Sequence, residues 1–162
     1  MNNQLKVKVN EPLINKNEKI YLIRCLNSGY ISSGGDFVKQ FEKKFAKKVN
    51  RKFGISVSNG TAALQLAFES LNLKRGDEVI LPSFTIISCV LPIVRSGLKP
   101  ILVDSDFRTW NMNVNQVERK ISKKTKAIIA PHIYGLPIDM DPLLKIAKKY
   151  KLKIIEDAAE VI

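Results

Sequence analysis

Ser58-Asn59-Gly60-Thr61-Ala62-Ala63-Leu64 is the stretch on which the fold of this chain turns. It follows a short apolar run, Phe53–Val57, and opens a segment, Thr61–Leu71, whose apolar residues recur at helical spacing. A strand running directly into a helix is the first half of a parallel α/β unit. The helix would start with its free N–H groups and the positive end of its dipole facing outward. Gly60 lets a backbone approach an anion and Thr61 adds a hydroxyl, so with Ala62 this turn is a candidate phosphate socket. The same residues serve equally as an ordinary N-cap, and position alone leaves both readings open. Neither Gly-x-Gly-x-x-Gly nor Gly-Lys-Ser/Thr occurs, so dinucleotide and P-loop sites have no support.

Working outward, the alternation continues. The spacing predicts strands over Glu78–Leu81, Pro100–Val103, Ala127–Ala130 and Lys153–Ile155. Between them it predicts helices over Thr85–Ser96, Asn113–Ile121 and Asp141–Tyr150. Asn113 is the expected cap of the second helix, with Gln116 three residues on, and Pro142 the first residue of the third. A mid-helix proline costs about 3 kcal/mol, so Pro92 should kink the helix over Thr85–Ser96 or make it begin late. Upstream, residues 1–15 read as an arm, helices cover about 16–27 and 36–48, and Ser32-Ser33-Gly34-Gly35 is a turn. Short apolar strands separated by helices mean an α/β fold, a mostly parallel sheet flanked by helices and buried on both faces.

Composition bounds the chemistry. The 162 residues fit one ordinary domain, and 45% hydrophobic with 26% charged residues belongs to a soluble globular protein. No apolar run approaches the ~20 residues of a membrane span, and the N-terminus lacks the apolar core of a secretory signal. The expected location is therefore cytoplasmic, with no membrane partner. Cys25 and Cys89 are far apart in sequence and His132 is the single histidine, so the thiols read as free and buried and no transition-metal site is expected. The net charge of +12 comes mainly from lysines spread over several helices and loops, without aromatic interleaving. Solvated helix faces explain it better than a nucleic-acid surface, and the excess would draw in a dianionic substrate.

In an open parallel sheet, ligands bind beyond the carboxyl ends of the strands. That rule selects Ser58–Thr61, Pro82–Thr85, Asp104-Ser105, His132–Gly135 and Asp157. A carboxylate at Asp157 suits a positive ring nitrogen or the cap of a following helix; a metal would lack histidine partners. His132 reads as a structural residue at a strand end.

The motifs Ser28-Gly29-Tyr30-Ile31-Ser32, Ser58–Leu64, Gly76–Thr85, Thr125–Ile129, His132-Ile133-Tyr134-Gly135, Asp139-Met140-Asp141 and Ile155–Glu160 are ordered and span nearly the whole chain. From about Glu11 to Ile162 the sequence resembles the N-terminal part of the DegT/DnrJ/EryC1/StrS family of nucleotide-sugar aminotransferases, and within it the perosamine synthase-type members. The resemblance implies a fold type I transferase that uses pyridoxal 5'-phosphate, moves an amino group from glutamate to a nucleotide-linked keto-sugar, and works as a homodimer. It implies that Gly60, Thr61 and Ala62 hold the cofactor phosphate and that Asp157 faces the pyridine nitrogen. Glu160 falls where relatives contact the phenolic oxygen, and Ile86 where many place a stacked aromatic ring. It further implies that residues 16–162 are the N-terminal portion of the cofactor-binding large domain. The remaining strands, the small domain and the lysine that bonds the cofactor would lie beyond Ile162. A truncated frame, a split gene or a fragment is then expected, with no catalytic residue of its own, inactive alone or pairing with an intact subunit.

Overall fold

The computed structural model of the chain describes residues 11–161. The chain divides into two compact units, Met1–Ser56 and Val57–Ile162. Of the arm expected over 1–15, residues 1–10 lie outside the described residues, and 11–15 form no helix or strand.

The first unit holds two helices, α1 (Lys16–Ser28) and α2 (Asp36–Lys48). Asn15 and Glu18 close a capping box at the start of α1, and Gly29, at φ 73°, supplies the left-handed residue that ends it. Phe41 and Phe45, one turn apart on α2, bring their rings within 5.5 Å. The strand expected over Phe53–Val57 does not form. A strand needs a neighbour to complete its ladder, and this segment is tied elsewhere: Ser56 donates to Glu42 Oε1 through its amide (2.8 Å) and its hydroxyl (2.9 Å). A side chain at position 54 would sit 2.6 Å from the Glu42 carbonyl oxygen, so only glycine permits this approach.

The second unit contains the sheet. Strands β1 (Glu78–Pro82), β2 (Lys99–Val103), β3 (Thr125–Pro131) and β4 (Lys153–Asp157) are all parallel, in the order β2-β1-β3-β4. Alternate residues feed two cores. On one face Val79, Leu81, Ala127, Ile129 and Ile155 pack with Leu64 and Phe68 of α3 (Gly60–Ser70) and with Cys89 and Ile93. On the other, Ile80, Ile128 and Ala130 pack with Met112, Val117 and Leu143, the last from α5 (Met140–Tyr150). The expected α/β class is thus present, with β1 and β3 buried on both sides.

Three helix expectations need correction. Thr85–Ser96 is split into a 3₁₀ turn, Ile87–Cys89, and a short helix α4 (Leu91–Arg95) that carries Pro92 in its first turn. Pro92 has no N–H to give the Ser88 carbonyl, so the two pieces cannot fuse into one helix. Asn113–Ile121 forms two 3₁₀ turns, Val114–Gln116 and Glu118–Lys120, and the Asn113 side chain makes no cap. Gln116 is engaged elsewhere: its Oε1 accepts from the Asp104 amide (3.2 Å) and its Nε2 donates to Asp104 Oδ2 (3.1 Å). Finally, α5 begins at Met140 behind an Asp139 cap, which moves Pro142 from the first helical position to the third.

Candidate active site

The connection from β1 to β2 runs through α4 on one face of the sheet, whereas the connection from β3 to β4 runs through α5 on the other. The strand order reverses direction between β1 and β3, and the crevice beyond their carboxyl ends is where an open sheet binds ligands. A cleft of about 430 Å³ lies there. Phe84, Thr85 and Ile86 line it after β1, Pro131 to Tyr134 after β3, and Asp157, Ala159 and Glu160 after β4.

Asp157 ends β4. Ile155, two residues earlier, packs with α3, so the Asp157 side chain emerges on the α3 face. Its Oδ1 accepts from the Ala159 amide (3.2 Å) and its Oδ2 from the Cys89 thiol (3.2 Å), while the Thr85 hydroxyl donates to Cys89 Sγ (3.3 Å). Cys89 is fully buried, and burial pushes its thiol up to about 12. The Thr85 hydrogen bond works against that rise; the bond to Asp157 and its charge add to it. The sulfur therefore keeps its proton and remains a donor. A carboxylate has about four acceptor positions, so two stay available on a side chain that faces the cleft.

At the start of α3, Asn59 Oδ1 accepts from the Ala62 amide (2.9 Å). The Ala62 N–H is therefore used by the cap. The amides of Gly60 and Thr61 have no partner among the described residues. A side chain at Gly60 would meet no atom within 4 Å, so the turn opens onto free space. Gly60, Thr61 and Ala62 are not part of the cleft lining, whereas Ile86, Asp157 and Glu160 are. What joins the two groups is the turn Ile87–Cys89. The Ser88 hydroxyl lies 2.8 Å from Thr61 Oγ1, and the next residue, Cys89, holds Asp157.

The opposite wall is the turn after β3. Tyr134 and Gly135 adopt left-handed conformations (φ 50° and 83°), which for tyrosine is strained and must be held by its surroundings. Glu160 Oε2 accepts from the Tyr134 amide (2.6 Å). Buried Asn111 clamps both ends, accepting from Ile133 N (2.9 Å) and donating to the Leu136 carbonyl (2.7 Å). Sequence reasoning missed Asn111, and only the run of turn residues around it gave a signal. His132 is buried, and its Nδ1 accepts from the Ile138 amide (3.1 Å), which fixes the proton on Nε2 facing Glu156 Oε1 (3.2 Å). Ile86 is 62% exposed at the mouth, and Phe84 meets the Trp110 ring edge-on at 5.3 Å.

Known proteins are similar to this chain in sequence and in fold. GDP-perosamine synthase of Escherichia coli O157:H7 is 46% identical over 154 residues, covering 95% of this chain and 42% of that protein. The aminotransferase structure from Psychrobacter cryohalolentis superposes with a TM-score of 0.88 at 34% identity, covering 93% of this chain and 38% of its own. The structure of 3-amino-5-hydroxybenzoic acid synthase does so with a TM-score of 0.86 at 35% identity, covering 93% and 39%. The chain thus spans about two fifths of the length of the relatives it matches. With the sequence pattern matched over residues 12–162 and the parallel sheet in common, the chain belongs to the DegT/DnrJ/EryC1/StrS aminotransferase family.

Proposed function

We propose that this chain forms part of the site of a pyridoxal phosphate-dependent aminotransferase that acts on a nucleotide-linked keto-sugar, with glutamate as amino donor, in polysaccharide biosynthesis. The observation that carries this reading is Asp157: a carboxylate held by two donors, facing a cleft at the switch point of a parallel sheet, with acceptor positions to spare. The substrate class is supported by the perosamine synthase relative. Pyridoxal phosphate, when bound, supplies the electron sink for amino-group transfer.

The residues present fit that group. Asp157 would hold a proton on the ring nitrogen, because a carboxylate beside it favours the charged form. The open amides of Gly60 and Thr61, at the positive end of α3, would bind the phosphate, with the Thr61 hydroxyl beside them. Ile86 would cover one face of the ring with an aliphatic side chain. Glu160, besides holding the Tyr134 turn, would face the phenolic oxygen. We take residues 16–162 as the N-terminal portion of the cofactor-binding domain, and the assembled enzyme as a homodimer. The unpaired Cys25 and Cys89 suit a reducing compartment such as the cytoplasm.

No lysine lines the cleft among the described residues. This favours a corollary: these 162 residues bind the cofactor without bonding it and do not transaminate alone, and they serve catalysis only beside a chain that brings the lysine. Titration with pyridoxal phosphate, followed by borohydride and mass spectrometry, tests both points. Reversible one-to-one binding that Asp157→Ala abolishes is expected. Absence of binding would refute the assignment, and a single stoichiometric covalent adduct would refute the corollary.

A further inference from the structure

We propose that Cys89 is a positioning residue: its thiol, anchored by Thr85, donates to Asp157 Oδ2 and fixes the direction in which that carboxylate meets a ligand in the cleft. The inference rests on the pyridoxal phosphate reading for what the ligand is, but the thiol–carboxylate contact stands on geometry alone.

An aspartate carboxylate turns easily about its last bond, because that torsion joins sp³ and sp² carbons and has broad minima. One hydrogen bond leaves it free to swing; one on each oxygen fixes its plane. Ala159 N–H occupies Oδ1 at 3.2 Å and is local, two residues along the chain. Cys89 occupies Oδ2 at 3.2 Å and comes from 68 residues away, so it ties the acid to the loop after β1. Cys89 is fully buried, and water does not compete for its proton. The Thr85 hydroxyl, 3.3 Å from the sulfur, uses its own proton on Sγ and thereby directs the S–H toward the acid.

The backbone makes this arrangement durable. The turn Ile87–Cys89 is separate from α4 because Pro92 lacks the N–H that would reach Ser88. Ser88 is thus placed against Thr61 at 2.8 Å while Cys89 points at Asp157. Two consecutive residues register the helix that would take the phosphate against the acid that would take the ring.

The test uses the 162-residue chain and the infrared S–H stretching band, recorded without added cofactor. In Cys25→Ser protein the single remaining band belongs to Cys89. It is expected at a lower frequency than a free thiol and should return toward the free value in Asp157→Ala; Asp157→Asn serves if the alanine variant does not fold. A Cys89 band at the free-thiol position, or one unmoved by either substitution, would overturn the proposal. Next, pyridoxal phosphate affinity should weaken about tenfold in Cys89→Ala and recover in Cys89→Ser, which restores a donor. Equal affinity in all three proteins would also overturn it. If the wild type shows the shifted band yet binds no pyridoxal phosphate, the cofactor reading fails while the thiol's hold on the acid stands.

Discussion

Among the described residues, Cys89 holds its proton well above the ordinary thiol range. Its thiol rises from an ordinary value of 9.0 to about 12, mainly because it is buried. The folded chain therefore keeps a proton that the unfolded chain releases, and the sign follows: stability is complete below about pH 9 and falls as pH rises toward 12. The slope contributed by this group is at most about 1.4 kcal/mol per pH unit. Urea unfolding of wild type and Cys89→Ser across that range should show the wild type losing stability faster, and parallel curves would disprove the assignment. Burial also separates the two thiols. Cys25 is half-buried and Cys89 has no exposed surface, so iodoacetamide should label Cys25 in the native protein and Cys89 only after unfolding. Peptide mapping by mass spectrometry reads this directly. Of the candidate site residues, the position of Asp157 at the carboxyl end of a strand was legible in the sequence. Cys89 was not, because a lone cysteine in sequence does not reveal that it faces an acid 68 residues away.

At the scale of elements, strands were easier to read than helices, for a physical reason. The runs at Glu78, Lys99, Thr125 and Lys153 are short, apolar and bounded by turn residues, too short for the helices between them and suited to a parallel sheet whose central strands, β1 and β3, are buried on both faces. Local pattern also marked Pro92 as an obstacle but could not tell a kinked helix from two separate pieces. At Asn113–Ile121 the capping signature was outweighed by tertiary demand, since Gln116 pairs with Asp104 instead. Phe53–Val57 misled for the opposite reason. Its composition favours a strand, but pairing is a property of two segments, and here Glu42 claims the backbone. The turn after β3 offers a test at this scale. Asn111 is buried with two bonds to the backbone, so Asn111→Ala leaves an amide and a carbonyl unpaired and should cost about 1–3 kcal/mol in urea unfolding. It should also weaken pyridoxal phosphate binding, because Tyr134 loses its support; a stability change below about 0.5 kcal/mol would contradict the clamp.

For the molecule as a whole, stability is distributed unevenly. Every residue of β1 from Val79 on is buried, and so is nearly all of β3, whereas α1 buries none of its 13 residues. Isolated helices of that length are marginal in water. Native-state hydrogen exchange should therefore find β1 and β3 protected to the global limit and α1 exchanging orders of magnitude faster. Comparable protection in both would mean that α1 is covered in solution. The class of the fold was legible at this scale because alternation over the last hundred residues admits few other architectures. The division at Ser56 was not, since no composition change marks it.

β4 pairs only with β3 among the described residues, so Asp157 rides on the outermost rung of the ladder, not on a central one. Fraying at a sheet margin is the cheapest motion a sheet allows, and here it would be transmitted straight to the acid proposed to meet the ring nitrogen. Any polypeptide that zips along that margin would thereby quieten the Asp157 end of the strand without touching the cleft itself.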